Sequence, residues 1–302
     1  MKTKTIKDVI NDFLWHCQYE RRLDMKTLSA YRIDLNQFLQ SLTRENKIIN
    51  SLSKDDVKKY LLSLSNYKQK TISRKLASLK AMLYYYECEE DSFINPIRKM
   101  QIKVKNPIRL PIVMTLDEIK KIFEVLYKKR IESNSMNLLR DIAIVELLFA
   151  SGMRVSELCS LRNRDVDINN GIIRIIGKGN KERIVQICHK ETLASLISWY
   201  NTKSNLNSDT PFFTNRLKSG LSTQSVRRII HNVVNESGIS KHITPHTFRH
   251  TFATLLLEED VDIKYIQHLL GHSSIVTTQI YTHVNLFKQK QILLNKHPRR
   301  LI

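Results

Sequence analysis

Residues 165–187, DVDINNGIIRIIGKGNKERIVQI, differ from the rest of a chain whose apolar residues mostly recur at helical spacing. β-Branched residues alternate here around two turns rich in glycine and asparagine, at 169–171 and 177–180. A period of two that is interrupted by such turns is typical of consecutive antiparallel strands. We therefore predict a small three-stranded antiparallel sheet within a mainly α-helical, two-domain protein.

Helical patterns lie on both sides of this sheet. Thr115 and Glu118 have the spacing of a capping box, which predicts the start of a helix that runs to about 129. Pro245 suits the first turn of a helix that begins at Thr244, because the amide hydrogen it lacks would be unpaired there. The remaining helices of this part are expected at 138–149, 155–161, 189–202, 222–237, 262–270 and 275–280.

Residues 5–90 carry only helical patterns. Apolar residues of the last pattern recur at i, i+4, i+7 and i+11, the stripe of a helix that packs on one face. This stripe consists of Ile72, Leu76, Leu79 and Leu83. Similar stripes run through 6–19, 28–42 and 57–64, with Ser53 placed to cap the third. Four helices in so short a segment predict a small bundle.

A segment with three prolines and no helical period follows the bundle, so we expect it to be an extended linker. The capping box at Thr115 marks the start of the next helical pattern. We therefore divide the chain into an N-terminal helical domain at 1–92, a linker at 93–112 and a second domain at 113–302.

The chain is strongly basic. Its 49 lysine and arginine residues and 29 aspartate and glutamate residues give a formal net charge of +20. Phosphate contacts and counterion release make a polyanion the expected partner, and because both domains are basic, we predict a clamp around duplex DNA. A basic run on the fourth helix is either a solvated charged face or a face that contacts phosphates. It comprises Lys68, Lys70, Arg74, Lys75 and Lys80.

The four cysteines are too far apart to form a CxxC pair, so we expect reduced thiols. The N-terminus lacks the apolar core of a signal peptide, and no stretch approaches 18 apolar residues. We expect a cytoplasmic protein that does not associate with a membrane.

Six residues of the second domain are suited to phosphodiester chemistry. Guanidinium, ammonium and imidazole groups can hold a phosphodiester and transfer its protons, and a tyrosine hydroxyl can attack its phosphorus. Arg154 follows a break between helices, Lys178 lies at a turn, and His246 and Arg249 share a face of one helical turn. The candidate set is Arg154, Lys178, His246, Arg249, His272 and Tyr281.

Each residue has another explanation when it is taken alone. Gly177 and Lys178 suggest a nucleotide-binding loop, but Gly179 stands where that loop needs Ser or Thr. His246 and His250 have the spacing of a zinc helix, but the glutamate that would act as base and a third ligand are missing. Tyr281 could be an ordinary buried tyrosine. Arg154 could form a surface ion pair with Glu157.

Taken together, the chain resembles the tyrosine recombinase (phage integrase) family. The segments SGMRVSEL, GKGNKER, HTFRHTFAT and LLGHSS surround the candidate residues in order and spacing. The resemblance is closest to bacterial Xer-type recombinases, which share the two-domain length, the helical, SAM-like core-binding region and a similar C-terminal tail.

The resemblance implies a site-specific DNA recombinase. Tyr281 would attack the scissile phosphate to give a 3′-phosphotyrosyl link, and the freed 5′-hydroxyl would attack a partner duplex by way of a Holliday junction. Arg154 and Arg249 would neutralise the phosphate oxygens. Lys178 would be the general acid, His246 the general base, and His272 would donate a hydrogen bond to the phosphate. Glu157 would orient the Arg154 guanidinium or His246. Neither ATP, another cofactor nor a metal ion is expected.

The same resemblance implies a homotetramer on two synapsed duplex sites, and it leaves open whether a second recombinase or an activating protein is a further partner. Apolar residues of the tail at 285–302, from Leu286 to Leu294, could fold back on their own domain, but the resemblance implies that they dock on a neighbouring subunit. The alternatives are relaxation of DNA as by a type IB topoisomerase and a non-catalytic DNA-binding regulator on the same scaffold.

Overall fold

The computed structural model describes residues 4–42, 46–102, 104, 111–133, 135–177, 182–203, 207–271 and 293–301. The chain divides into two compact units, Met1–Arg109 and Leu110–Ile302. The described residues are mainly helical, with one three-stranded antiparallel sheet in the second unit. The predicted fold class is therefore confirmed.

Four helices form the first unit, as predicted. They are α1 (Ile6–Trp15), continued by a π-helical turn (His16–Glu20), α2 (Met25–Gln40), α3 (Lys54–Ser63) and α4 (Gln69–Glu89). Capping boxes open α1 and α3, because the hydroxyls of Thr5 and Ser53 accept from the amides of Asp8 and Asp56. The aromatic rings of Phe13 and Phe38 lie in the common core.

Lys75 lies inside this bundle and not on its surface. Its side chain is 4% exposed, and its ammonium donates to the fully buried Asp34 at 3.0 Å and to Gln37. Ser78 on the same helix donates to Asp34 at 2.9 Å. A charge buried in this way holds α4 against α2 and cannot reach a phosphate, so Lys75 is wrong as a DNA-contact candidate.

The start of the expected linker is folded. Phe93 and Ile97 are buried in the core of the first unit, and residues 96–99 form turns. The Asn95 side chain accepts from the amide of Ile97 at 3.1 Å, which closes an Asx turn before the chain can extend. The prediction of an extended conformation is therefore wrong for 96–99.

Seven α-helices and three strands are described in the second unit. The helices are α5 (Leu116–Glu132), α6 (Met136–Ser151), α7 (Val155–Ser160), α8 (Lys190–Tyr200), α9 (Thr223–Glu236), α10 (Pro245–Glu258) and α11 (Ile263–Leu270). The strands are β1 (Val166–Asp167), β2 (Ile172–Ile176) and β3 (Glu182–Gln186), in the order β1-β2-β3. Ile173 of β2 pairs with Val166 on one side and Val185 on the other, so the predicted sheet is confirmed.

Helix α6 is the centre of this unit. Its residues 142–151 are all buried, and α5, α8, α9 and α10 pack around it. A helix that is apolar on every side needs such a shell to remain in water. The predicted capping box at Thr115 opens α5, and Thr244 caps α10 with Pro245 as its first residue. The predicted helix at 275–280 lies outside the described residues.

The described end of the chain packs on its own unit. Residues 293–296 form a helical turn, followed by a 3₁₀ turn at Pro298–Leu301. Leu293 is 2% exposed and shares a cluster with Phe252 and Leu256 of α10. The burial of Leu293 in its own unit differs from the expected docking on a neighbouring subunit. Leu294 is exposed, and 285–292 lies outside the described residues. None of the described helices is long and apolar enough to cross a membrane.

Candidate active site

A glycine-dependent turn between α6 and α7 places Arg154. The chain leaves α6 through Gly152 in the left-handed conformation (φ 57°), and a Cβ there would lie 2.6 Å from Phe252 Cδ1 and 2.8 Å from Leu270 Cδ2. Only glycine fits both the backbone conformation and this close approach. The turn makes Arg154 the N-cap of α7 and directs its side chain toward the C-terminus of α11.

Glu157 holds Arg154 in place. Its Oε1 accepts from Arg154 Nη1 at 2.7 Å, and its Oε2 accepts from the Arg154 amide at 2.8 Å. Both oxygens also accept from Arg183 of β3, at 3.0 and 2.7 Å. Burial alone would raise the pKa of Glu157, but the hydrogen bonds and charge of Arg183, supported by Arg154, lower it. The carboxylate is therefore ionised at neutral pH, and the pair with Arg154 is largely buried rather than a surface ion pair.

Arg249 approaches the same place from α10. Its side chain is buried, and its Nη1 donates to Gly152 O at 2.9 Å and its Nη2 to Leu270 O at 2.7 Å. Burial, together with the nearby charge of Arg154, lowers the pKa of Arg249 to about 10. The guanidinium thus remains charged at neutral pH but is poorly compensated, because its described partners are neutral carbonyls.

His246 lies one helical turn before Arg249, in the first turn of α10, and is exposed. Partial burial of the ring, followed by the positive charges of His250 and Arg249, lowers the pKa of His246. The imidazole is therefore predominantly neutral near pH 7. A neutral, accessible imidazole beside two arginines can accept a proton from a group that binds there.

The guanidiniums of Arg154 and Arg249 converge on adjacent carbonyls. Arg154 Nη2 donates to Gly271 O at 3.0 Å, and Arg249 Nη2 donates to the neighbouring Leu270 O. Each guanidinium has five N–H donors, and the side-chain bonds found among the described residues use two of them. Both groups can therefore bind an anion without leaving these positions.

Three members of the predicted set, Lys178, His272 and Tyr281, lie outside the described residues. The structure brings together the other three, Arg154, His246 and Arg249. Glu157, the residue expected to orient one of them, bonds to Arg154. The chain is described up to Gly177 and Gly271, which directly precede Lys178 and His272. Four of the candidate DNA contacts are exposed on α4 or at its start: Lys68, Lys70, Arg74 and Lys80.

Arg183 is the site residue for which the sequence predicts no role. Its one sequence signal is its place in the segment GKGNKER, five residues after Lys178. Nothing local indicates that its partners are Glu157 and Leu269, which are 26 and 86 residues away.

His, Cys, Asp and Glu are the side chains that could hold a zinc ion in the described part of the chain. No group of three His, Cys, Asp or Glu side chains there could hold a metal ion. The cysteines Cys17, Cys88, Cys159 and Cys188 are free thiols.

Comparison with known proteins gives matches along nearly the whole chain. The phage integrase family matches residues 113–287, and the phage integrase N-terminal SAM-like domain matches residues 10–89. A tyrosine recombinase of Agathobacter rectalis is 46% identical over 96% of both chains. Tyrosine recombinase XerD of Listeria monocytogenes is 34% identical over 97% of this chain and all of its own.

Solved structures share the fold at lower identity. A lambda integrase tetramer bound to a Holliday junction superposes with a TM-score of 0.70 at 20% identity, over 91% of this chain and 76% of the integrase. XerH recombinase bound to its difH substrate superposes with a TM-score of 0.66 at 21% identity, over 98% of this chain and 83% of the XerH chain.

Proposed function

Since the chain belongs to the phage integrase family and is a site-specific tyrosine recombinase, we propose that it cuts and rejoins DNA strands through a 3′-phosphotyrosyl link on Tyr281. The observation that carries this proposal is the convergence of Arg154 and Arg249 on Leu270 O and Gly271 O, with spare donors on both guanidiniums. Such a pair matches the two nonbridging oxygens of one phosphodiester.

The two arginines act on the transition state. When a hydroxyl attacks the phosphorus, the phosphate acquires a second negative charge on its equatorial oxygens. Arg154 and Arg249 are held by protein groups before the substrate arrives, so they stabilise this charge without reorganisation, a contribution of several kcal/mol.

Two other side chains transfer protons, and a third binds the phosphate. His246, whose pKa is lowered, accepts the proton of the Tyr281 hydroxyl as it attacks. Lys178 protonates the departing 5′-oxygen, and His272 donates a hydrogen bond to the phosphate. The position of His246 beside Arg249 supports the first role, and sequence position supports the other two.

The covalent link conserves the energy of the phosphodiester. The O–P bond to Tyr281 forms as the bond to the 5′-oxygen breaks, and the 5′-hydroxyl of a partner strand later reverses the exchange. Two such exchanges, separated by a Holliday junction, recombine two duplexes. The chemistry needs neither ATP nor another cofactor.

The working assembly is a homotetramer on two duplex sites. One lambda integrase structure is a tetramer on a Holliday junction, which supports this proposal through the shared fold. Where four copies of this chain do not suffice, a second recombinase or an accessory protein would be the further partner. The reaction would take place in the cytoplasm, on nucleoid DNA. The domains at 1–92 and 113–302 would each contact the duplex, and residues 93–99, the start of the predicted linker, pack with the first of them. Lys68, Lys70, Arg74 and Lys80 would contact phosphates from the first of them.

A pair of plasmids tests the reaction. One carries two copies of a duplex that the protein selects by binding from a random-sequence library, and the other carries none. We expect recombinant circles from the first plasmid and no change of the second, and the variant Arg249→Gln should bind the duplex but give no recombinants. Relaxation of both plasmids without recombinants would instead indicate a topoisomerase, and binding without either product would indicate a regulator.

A further inference from the structure

Three arginines bind three consecutive carbonyls where α11 ends. Leu269 O accepts from Arg183 Nε at 3.1 Å, Leu270 O from Arg249 Nη2 at 2.7 Å and Gly271 O from Arg154 Nη2 at 3.0 Å. The last carbonyls of a helix lack partners within the helix, and cations stabilise its negative end. The C-terminus of α11 is therefore fixed by side chains from α7, α10 and β3.

Arg183 differs from the other two in how its donors are used. Its Nη1 and Nη2 donate to both oxygens of Glu157, at 3.0 and 2.7 Å, and its Nε donates to Leu269 O. The side chain is 8% exposed. With its fork occupied by a buried carboxylate, Arg183 is not arranged to bind a phosphate.

Glu157 is thereby shared between two guanidiniums. Glu157 Oε1 accepts from the guanidiniums of both Arg154 and Arg183. Glu157 Oε2 accepts from the Arg183 guanidinium and from the backbone amide of Arg154. Without Arg183, Oε2 would keep the backbone amide of Arg154 but lose its guanidinium donor. The Arg154 guanidinium could then bond both oxygens, and such a two-bond pair would draw it away from the position where it can meet a phosphate. Arg183 therefore limits the number of Glu157 oxygens that the Arg154 guanidinium can bond.

Arg183 also packs under the turn that leaves α11. Gly271 has a φ of 63°, and a Cβ there would lie 3.1 Å from Arg183 Nη1 and 3.3 Å from Arg183 Cδ. In the chain, His272 follows Gly271 directly, and Arg183 follows Lys178 by five residues. One side chain thus joins the strand after Lys178 to the turn before His272.

We propose that Arg183 is a positioning residue for recombination: it does not contact DNA, but it fixes Glu157, and through it Arg154, in register with the C-terminus of α11. This inference rests on the proposed role of Arg154 at the scissile phosphate. Loss of Arg183 should therefore slow the chemical step and leave DNA binding nearly unchanged.

The test compares Arg183→Lys and Arg183→Gln with the control Arg164→Gln. Lysine keeps the charge and the stem, so the protein should fold, but it cannot donate to two oxygens and a carbonyl in one plane. Arg164 is exposed and pairs with Asp209, away from the site. On a nicked suicide duplex, both Arg183 variants should cleave about 10²-fold more slowly at unchanged duplex affinity, the loss expected when a catalytic group is misplaced by about 1 Å. The control should cleave at the wild-type rate.

A substrate with a methylphosphonate at the scissile position separates positioning from general damage. It lacks one nonbridging charge, so the placement of Arg154 matters less, and the defect of Arg183→Lys relative to wild type should shrink to about tenfold or less. Wild-type cleavage by Arg183→Lys, or an equal defect on both substrates, would overturn the proposal. If Arg154→Ala also cleaves the ordinary duplex at the wild-type rate, the proposed function of the site fails as well, so the two failures can be distinguished.

Discussion

At the scale of single residues, the site is a cluster of positive charges around one buried carboxylate. Arg154, Arg183 and Arg249 carry three charges, and Glu157 neutralises one of them. The two that remain match the charge that a phosphodiester acquires at its pentavalent transition state. The cluster is therefore closer in charge to the transition state than to the substrate, which is what acceleration of the chemical step requires.

The leaving group is tested at the same scale by Lys178→Ala. If Lys178 protonates the 5′-oxygen, its loss should slow cleavage of the nicked duplex by about 10²- to 10⁴-fold. A duplex with sulfur in place of the bridging 5′-oxygen should restore most of the rate, because a thiolate leaves without protonation. Single-turnover rates on the two substrates give the comparison, and equal slowing on both would remove Lys178 from the role of acid.

At the scale of elements, the break between α6 and α7 decides where the site forms. Gly152 ends α6, lets Phe252 and Leu270 approach, and provides the carbonyl that Arg249 binds. The same residue thus terminates a buried helix, packs it on two others and orients Arg154 and Arg249, the two arginines that we propose bind the phosphate. A substitution here should affect stability and catalysis together.

Gly152→Ala and its control Gly238→Ala separate packing from backbone strain. Both glycines have a φ near 60°, but a Cβ at Gly238 would have no atom within 4 Å. Gly238→Ala should cost about 1–2 kcal/mol of unfolding free energy from strain alone. Gly152→Ala should cost about 1–3 kcal/mol more, because the new methyl group overpacks against Phe252. Urea unfolding of both variants measures the difference, and equal losses would contradict the packing account.

Local patterns explain which elements could be predicted from the sequence. The capping boxes at Ser53 and Thr115, and the alternation in β2 and β3, are signals within a few residues, and all four elements form as expected. Arg183 and Lys75 could not be placed in the same way, because their partners lie 26 or more residues away. Only the packed fold shows that these two cations point inward.

At the scale of the whole molecule, the end of the chain is part of the core of the second unit. Arg299 donates from Nη2 to Oε1 of the fully buried Glu146 at 2.9 Å, and Tyr127 and Thr192 donate to the same carboxylate. His297 donates from Nε2 to Ala150 O at 2.8 Å and accepts from the Arg299 amide. Tail residues beyond Tyr281 are therefore tied to α6, the central helix, so removal of 285–302 should destabilise the unit as well as alter assembly.

The buried His297 makes this unit sensitive to acid. Burial lowers the pKa of His297, the hydrogen bond to Ala150 opposes this, and the nearby charges of His189 and Arg299 add to it; the net pKa falls from 6.5 to about 4. Because the pKa of His297 is lower in the folded than in the unfolded chain, the neutral imidazole contributes to the free energy of unfolding. That contribution is complete above pH 6.5 and is lost as the pH falls toward 4. Between pH 7 and pH 4 it amounts to about 3 kcal/mol.

Trp199 can report this loss in the full-length chain. It is buried in the second unit, and Trp15 of the first unit is the other tryptophan, so Trp15→Phe leaves a single probe. In that background, the free energy of unfolding should fall between pH 7 and pH 4. We expect this fall to be about 3 kcal/mol smaller in His297→Gln than in its parent. An unchanged difference would show that His297 is not the group that titrates.

The most direct test of the whole account is the identity of the residue that becomes linked to DNA. The wild-type protein is trapped on a nicked suicide duplex whose sequence it selects by binding. The trapped protein is digested, and the peptide that carries the nucleotide is sequenced by mass spectrometry. We predict a single adduct, through a 3′-phosphate, on Tyr281, and no SDS-stable adduct from Tyr281→Phe at unchanged duplex affinity. An adduct on any other residue, or one formed by Tyr281→Phe, would contradict the account.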